Sequence, residues 1–365
     1  MKLLYIAPRD FPRRVANRVQ TIKMAEAFSK FADVTLLVSK LHTSVDELWR
    51  HYDVRRPFKI TQIGSAPLGP QSIYSLAPSI YQMLQMRPDV VYFREELIGW
   101  LLTWFKRGYI YEMLDMVPSH RRYYPRLVRN SRKTVVISEG LKQSAIEAGL
   151  QADKFLVRPD AVDFAAFDID ISMADARKQV GLETEGKIVL YTGRFSHWKG
   201  TDTLIEAARY LPSGIQVILV GGFEGEPEVA RQTARRFEVA DRVRIVEFRP
   251  HAEMPLYMKA ADLVVLPNLA ENALSMYHTS PLKLFEYMAA QRPIVASDLP
   301  AIREVVDDQT ATLTMPGDAR QLASGICDVL DRAEASSERV AKAYKLAKMH
   351  TWDERARLIL EDSGY

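Results

Sequence analysis

The strongest constraint in this chain is a pattern that occurs twice: short strand-like runs, most of them wholly apolar, separated by segments with helical spacing. In the first half the runs fall at 3–7, 34–38, 90–93, 109–111 and 134–137, and the helical segment 19–31 carries Ile22, Met24, Ala25, Ala27 and Phe28 at its apolar positions. From Lys187 the alternation restarts, with runs at 188–192, 216–220, 242–246, 263–266 and 294–297 and helical segments at 202–211, 227–237, 254–261 and 281–290. Strands apolar at every position are buried on both faces, as parallel sheets covered by crossover helices require. The pattern predicts an α/β chain of two doubly wound halves.

Length agrees with this, because 365 residues exceed one ordinary core and suit two domains of roughly 150 to 200 residues. The expected domains are 1–158 and 159–351, with a hinge at Pro159-Asp160-Ala161-Val162-Asp163 followed by a polar, acid-rich linker to about Gly186. A helical pattern over 341–363 breaks near Thr351 and Asp353, and its last piece, 352–365, is expected to return to the first domain.

Apolar residues at 47% and charged residues at 26% describe an ordinary globular protein. The single cysteine, Cys327, excludes an intrachain disulfide framework or a thiolate metal cluster and reads as a reducing, cytoplasmic setting. The apolar start is too short for a signal peptide, and no run of about 18 apolar residues exists, so any membrane contact is expected to be peripheral. The net charge of +3 hides a basic run of Arg121, Arg122, Arg126, Arg129, Arg132 and Lys133 with no acid among them.

Two segments carry the chemistry. Tyr191 to Gly200 leaves a strand, turns on Gly193, presents Arg194 and Lys199, and enters a helix through Gly200. Glycine allows close backbone approach to a phosphate, the Arg194 guanidinium can fork onto two oxygens, and the Lys199 ammonium is a mobile point charge. In Thr279 to Ala289, Ser280 is the expected N-cap and Pro281 the first helical residue, so the free amides of Leu282 and Lys283 face an anion. Glu286 lies about five residues in, roughly 7.5 Å along the axis, where a carboxylate leaning back can accept two ribose hydroxyls. A lone acid among Leu284, Phe285, Tyr287 and Met288 is expected to be partly buried and partnered.

Other motifs read blandly. Asp168-Ile169-Asp170 has the acid-x-acid form of a metal-dependent transferase, but its place in the linker makes it a solvated hinge. His42, His51, His197, His251 and His350 show no metal-ligand spacing and read as core or surface histidines. Gly221-Gly222-Phe223-Glu224-Gly225 is not expected to lead straight into a helix, which disfavours a nicotinamide-binding fingerprint. No base-reading module accompanies the basic run, so no nucleic-acid partner is expected.

Taken together, Gly193-Arg194 with Lys199-Gly200, Val220-Gly221-Gly222, the run Ala261 to Pro267, Ser280 to Ala289 and the Pro159 to Asp163 hinge closely resemble the family-four glycosyltransferases of the GT-B fold, over nearly the whole chain. The resemblance implies two Rossmann-like domains with parallel sheets facing across a cleft, and retaining sugar transfer with no metal and no cofactor beyond the donor. It implies a uridine- or guanosine-diphosphate sugar held by Gly193, Arg194, Lys199, Gly221, Gly222, His278, Ser280, Pro281, Leu282, Lys283 and Glu286, with Arg194 and Lys199 as the catalytic cations. The chain departs from the family at His278, where a donor-binding Glu is usual, and at Leu114, where a His usually stands before Asp115. His120 is the neighbouring substitute, and Asp115 and His120 are the catalytic candidates of the first half. The glycine-rich loop after the first strand is replaced by 9–18, with four arginines.

The expected acceptor is a glycan or a lipid-linked glycan, in cell-surface polysaccharide or glycolipid synthesis. The basic run, with the apolar stretch 98–105, is a candidate seat on anionic lipid at the inner face of the membrane. Two rivals stay open: a GT-B nucleotide-sugar epimerase and a nucleotide-sugar binding or scaffold protein without turnover.

Overall fold

The computed structural model describes residues 1–13, 16–64, 74–182 and 185–365, and Arg14 of the arginine-bearing 9–18 segment lies outside them. The chain forms two compact units, Met1–Asp160 with Trp352–Tyr365, and Ala161–Thr351.

The first unit is built on seven strands: β1 (Lys2–Ile6), β2 (Asp33–Val38), β3 (Lys59–Gln62), β4 (Val90–Phe93), β5 (Tyr109–Met113), β6 (Ser131–Val136) and β7 (Phe155–Val157). They pair in the order β3-β2-β1-β4-β5-β6-β7, all parallel. The β4 strand is buried at every position, as its apolar run predicts. Helix starts follow local chemistry: Ser44 and Glu47 form a capping box before Val45–His51, and the Ser138 hydroxyl caps Glu139–Glu147.

A charged cluster is enclosed in this apolar unit. The fully buried Glu112 of β5 accepts from the Tyr92 hydroxyl at 2.7 Å and from Arg355 at 2.6 Å, with Arg94 at 3.1 Å. Burial alone would raise its carboxyl, but the two guanidiniums outweigh that and hold it below the usual range. Arg355, from the helix Trp352–Asp362, also donates to the carbonyls of Pro159 at 2.7 Å and Arg158 at 3.0 Å, which pins the C-terminal helix to the end of the first stretch.

The second unit carries β8 (Lys187–Gly193), β9 (Ile215–Gly221), β10 (Val243–Glu247), β11 (Leu263–Leu266), β12 (Ile294–Ser297) and β13 (Thr312–Thr314), ordered β10-β9-β8-β11-β12-β13 and again all parallel. Strand order reverses between β8 and β11, so the crevice beyond their carboxyl ends is where an open α/β sheet receives a ligand. Gly193 ends β8, and the chain leaving β11 leads to the helix Leu282–Ala289.

The linker departs from its expected character at Asp168. It forms helices at Phe164–Phe167 and Met173–Gln179, the second capped by Ser172. Asp168 is not a solvated hinge: its half-buried carboxylate accepts from the Gln291 amide at 2.9 Å and the Tyr344 hydroxyl at 2.7 Å. The reason is tertiary, since both donors stand more than 100 residues downstream, Gln291 in the turn after the helix Leu282–Ala289 and Tyr344 in the helix Ala333–Ala347.

Candidate functional site

The β8 turn and the Leu282–Ala289 helix face each other inside the second unit. Gly193 has φ 118°, open to glycine alone, and a Cβ there would lie 2.9 Å from Lys283 Nζ. Lys283 donates to the Tyr191 hydroxyl at 2.7 Å, and that hydroxyl donates to the Arg194 carbonyl at 2.6 Å. Gly221 (φ 127°) brings its strand end onto Gly193, its would-be Cβ 2.4 Å from the Gly193 carbonyl oxygen, and Gly222 donates to that carbonyl at 2.9 Å. The two glycine turns are thus locked edge to edge.

Two amines in this cradle are short of partners. Burial, followed by the nearby Lys199 charge, holds the Lys283 amine well below the ordinary lysine range, with Glu286 opposing only in part. Burial and then Arg194 bring Lys199 down to about 7. Lys199 lies over the Trp198 ring at 3.5 Å. The only acceptor for either ammonium among the described residues is the Tyr191 hydroxyl. An ammonium desolvated in this cradle is costly, and an anion in the crevice offsets that cost.

The helix start differs from expectation by one residue. Pro281, with ψ 111°, stays extended at the cap position and Leu282 is the first helical residue, so Ser280 is too far back to cap and the turn has no side-chain cap. The first-turn amides of Leu282 and Lys283 have no acceptor within the helix. Ser280 and His278 are both buried beside this turn. Glu286 is 9% exposed, and its Oε1 pairs with His251 Nε2 at 2.8 Å while the His251 ring meets Phe167 edge-on.

Two residues of the site were invisible in the sequence reading. His251, read as a core or surface histidine, is the partner of Glu286, and only the fold brings positions 251 and 286 together. Glu226 is the second: one carboxylate oxygen accepts from Arg194 at 2.7 Å, and the other from the Phe195 and Phe223 amides at 2.9 and 2.8 Å. Burial works against the ionised form, yet these bonds, Arg194 first, hold the Glu226 carboxyl below its usual range. Glu226 opens the helix Glu226–Arg236 with Gly225 at its cap, so Gly221 to Gly225 does lead straight into a helix, contrary to expectation. An acid right after a glycine turn was the available signal. Arg194 itself is directed to Glu226 and is half exposed.

In the first unit, Asp115 Oδ1 accepts from the Met116 amide at 2.7 Å, and His120 Nδ1 lies 3.5 Å from Glu96. At the β1/β4 switch point, Arg9 pairs with both oxygens of Glu95 at 2.7 and 2.5 Å. The described residues hold no group of three or more His, Cys, Asp or Glu able to bind a metal ion, and no helix among them is long and apolar enough to cross a membrane.

Comparison with known proteins bears on the same segment. Residues 186–332 match the family described as Glycosyl transferases group 1. The chain is 28% identical over 225 residues to the D-inositol 3-phosphate glycosyltransferase of Xylanimonas cellulosilytica, covering 58% of this chain and 52% of that one. It is 30% identical over 156 residues to the alpha-D-kanosaminyltransferase of Streptomyces kanamyceticus, covering 42% and 38%. The chain therefore spans about half the length, or less, of these curated relatives. Among solved structures, Anabaena Alr3699/HepE in complex with UDP superposes with a TM-score of 0.80 at 20% identity over 99% of both chains. WaaG, a glycosyltransferase involved in lipopolysaccharide biosynthesis, does so at 0.74 and 14% identity over 100% of both. The second unit thus carries a segment that matches the Glycosyl transferases group 1 family, and the two parallel-sheet units share the GT-B fold of these solved structures.

Proposed function

We propose that the protein is a retaining, metal-independent glycosyltransferase of the hexosyltransferase kind. On this reading it moves a sugar from a nucleoside diphosphate to a glycan or lipid-linked acceptor, in cell-surface polysaccharide or glycolipid synthesis. The observation that carries the reading is the pair of desolvated lysines, Lys199 and Lys283, at the carboxyl end of β8 with a single hydroxyl acceptor between them. Such a cradle suits a diphosphate, and Glu286, one oxygen held by His251, suits the ribose that follows it. The relatives' names support a glycosyl donor, and Alr3699/HepE was solved with UDP-glucose, which favours a uridine over a guanosine donor.

As the bond from the anomeric carbon to the phosphate oxygen breaks, its electron pair stays on that oxygen. Lys199, Lys283 and the amides of Leu282 and Lys283 meet this charge, and Arg194 on the same turn is the third cation. The acceptor hydroxyl bonds to the anomeric carbon on the same face and passes its proton to the departing phosphate. No side-chain base is then needed. His278 is proposed to contact the donor sugar, and Asp115 and His120 to contact substrate from the first unit.

The test is a panel of uridine- and guanosine-diphosphate sugars, with and without cell-envelope lipid, scored for free nucleoside diphosphate and for isomerised donor. Release that depends on the lipid is expected. Isomerisation without an acceptor would replace the reading with an epimerase, and binding with neither product would make this a non-catalytic binding protein.

A further inference from the structure

The basic run of the first unit is not one uniform face. Arg132 stacks on Tyr365 at 4.5 Å, Lys133 donates to the Asp153 carbonyl at 2.8 Å, and Arg122 folds onto Tyr123 at 4.8 Å. Arg126 instead reaches the neighbouring segment, donating to the Thr103 hydroxyl at 2.5 Å and covering the Trp104 ring at 3.7 Å. Gly108 donates to the Asn130 carbonyl at 2.9 Å and the Tyr109 hydroxyl to the Leu127 carbonyl at 2.8 Å, so 103–109 and 126–130 lie side by side. Neither 97–111 nor 116–138 contains an Asp or Glu.

At this junction Trp104 is 64% and Phe105 58% exposed, two adjacent aromatic rings turned outward. Lys106, Arg107 and Arg129 follow on the same two segments, Arg107 and Arg129 exposed. We propose that this knuckle seats the protein on an anionic lipid bilayer: Trp104 and Phe105 enter the headgroup layer while Lys106, Arg107, Arg126 and Arg129 meet lipid phosphates. The charge complementarity is one-sided, and Trp beside Arg is the pairing that settles at a membrane interface. Phe105 favours a bilayer over a polynucleotide, since apolar insertion gains from lipid and no base-reading element stands nearby. The proposal is independent of the donor site.

The test is co-sedimentation of the full chain with phosphatidylcholine vesicles, with and without phosphatidylglycerol. Binding is expected only with the anionic lipid, weakening as salt is raised. The double variant W104A/F105A and the double variant R107E/R129E are each expected to lose it by about tenfold or more, given about fivefold per cation near an anionic surface. Both alter exposed side chains, so retained UDP binding and an unchanged unfolding midpoint serve as the check on fold. Equal sedimentation of wild type and variants would overturn the proposal. So would binding to a single-stranded polynucleotide in place of vesicles, or absence of binding to anionic vesicles at low salt.

Discussion

If Lys199 and Lys283 await a diphosphate, binding must bring protons with it. Burial and Arg194 hold Lys199 at about 7, so at pH 8 about nine-tenths of it is neutral, and burial also holds Lys283 well below the ordinary lysine range. A bound diphosphate favours the ammonium form of both lysines, and its terminal phosphate, with a second pKa near 6, is already ionised at pH 8 and releases nothing. The complex should therefore take up close to one proton at Lys199 at pH 8. Affinity is full below the Lys199 value and falls as pH rises through it, by up to about tenfold per pH unit for the proton taken up. Calorimetric titration of UDP in HEPES and in Tris buffer, which differ in ionisation heat and do not compete as phosphates, reads the uptake directly from the difference in heat. Lys199→Met should remove close to one proton from the uptake. Identical heats in the two buffers, or an affinity flat from pH 7 to 9, would show that these amines do not hold the phosphates.

Glu286→Ala is expected to weaken nucleotide affinity by about 1 to 3 kcal/mol with the fold intact, and titration with UDP against the bare diphosphate should show the loss only for UDP. Glu226→Ala removes the acceptor shared by Arg194, Phe195 and Phe223; we expect about 1 to 3 kcal/mol lower stability in urea and weaker diphosphate binding together, and a loss of neither would dismiss Glu226 as the brace of the two turns. Asp160, buried beside Arg355, has its carboxyl raised by burial from 3.8 to about 7. The native state then keeps a proton that the unfolded chain gives up, a contribution present below about pH 4 and lost as pH rises through 7. Asp160→Asn should flatten the pH dependence of the urea midpoint between pH 5 and 8.

The fold was legible because parallel strands covered on both faces must be apolar throughout, and β1, β4, β8 and β11 announce themselves that way. The strands that escaped notice lie at sheet edges or are very short. Lys59–Gln62 reads KITQ and Thr312–Thr314 reads TLT, each half-exposed and so free of the apolar rule. At the candidate site the local signals were glycine turns, cations and a helix start, all contained in two contiguous segments. His251 and Glu226 reach it from outside those segments, and Asp168 is tethered by Gln291 and Tyr344; only Glu226 carries a local signal, an acid directly after a glycine turn. The Ser280 cap failed for a local reason: an extended Pro281 moves the first helical residue to Leu282.

A crystal structure of the protein soaked with UDP asks directly where a nucleoside diphosphate sits. The terminal phosphate is predicted within hydrogen-bond distance of Lys199 Nζ, Lys283 Nζ and the first-turn amides at Leu282, with the ribose hydroxyls on Glu286. Nucleotide bound elsewhere, or phosphates turned away from both lysines, would contradict this placement.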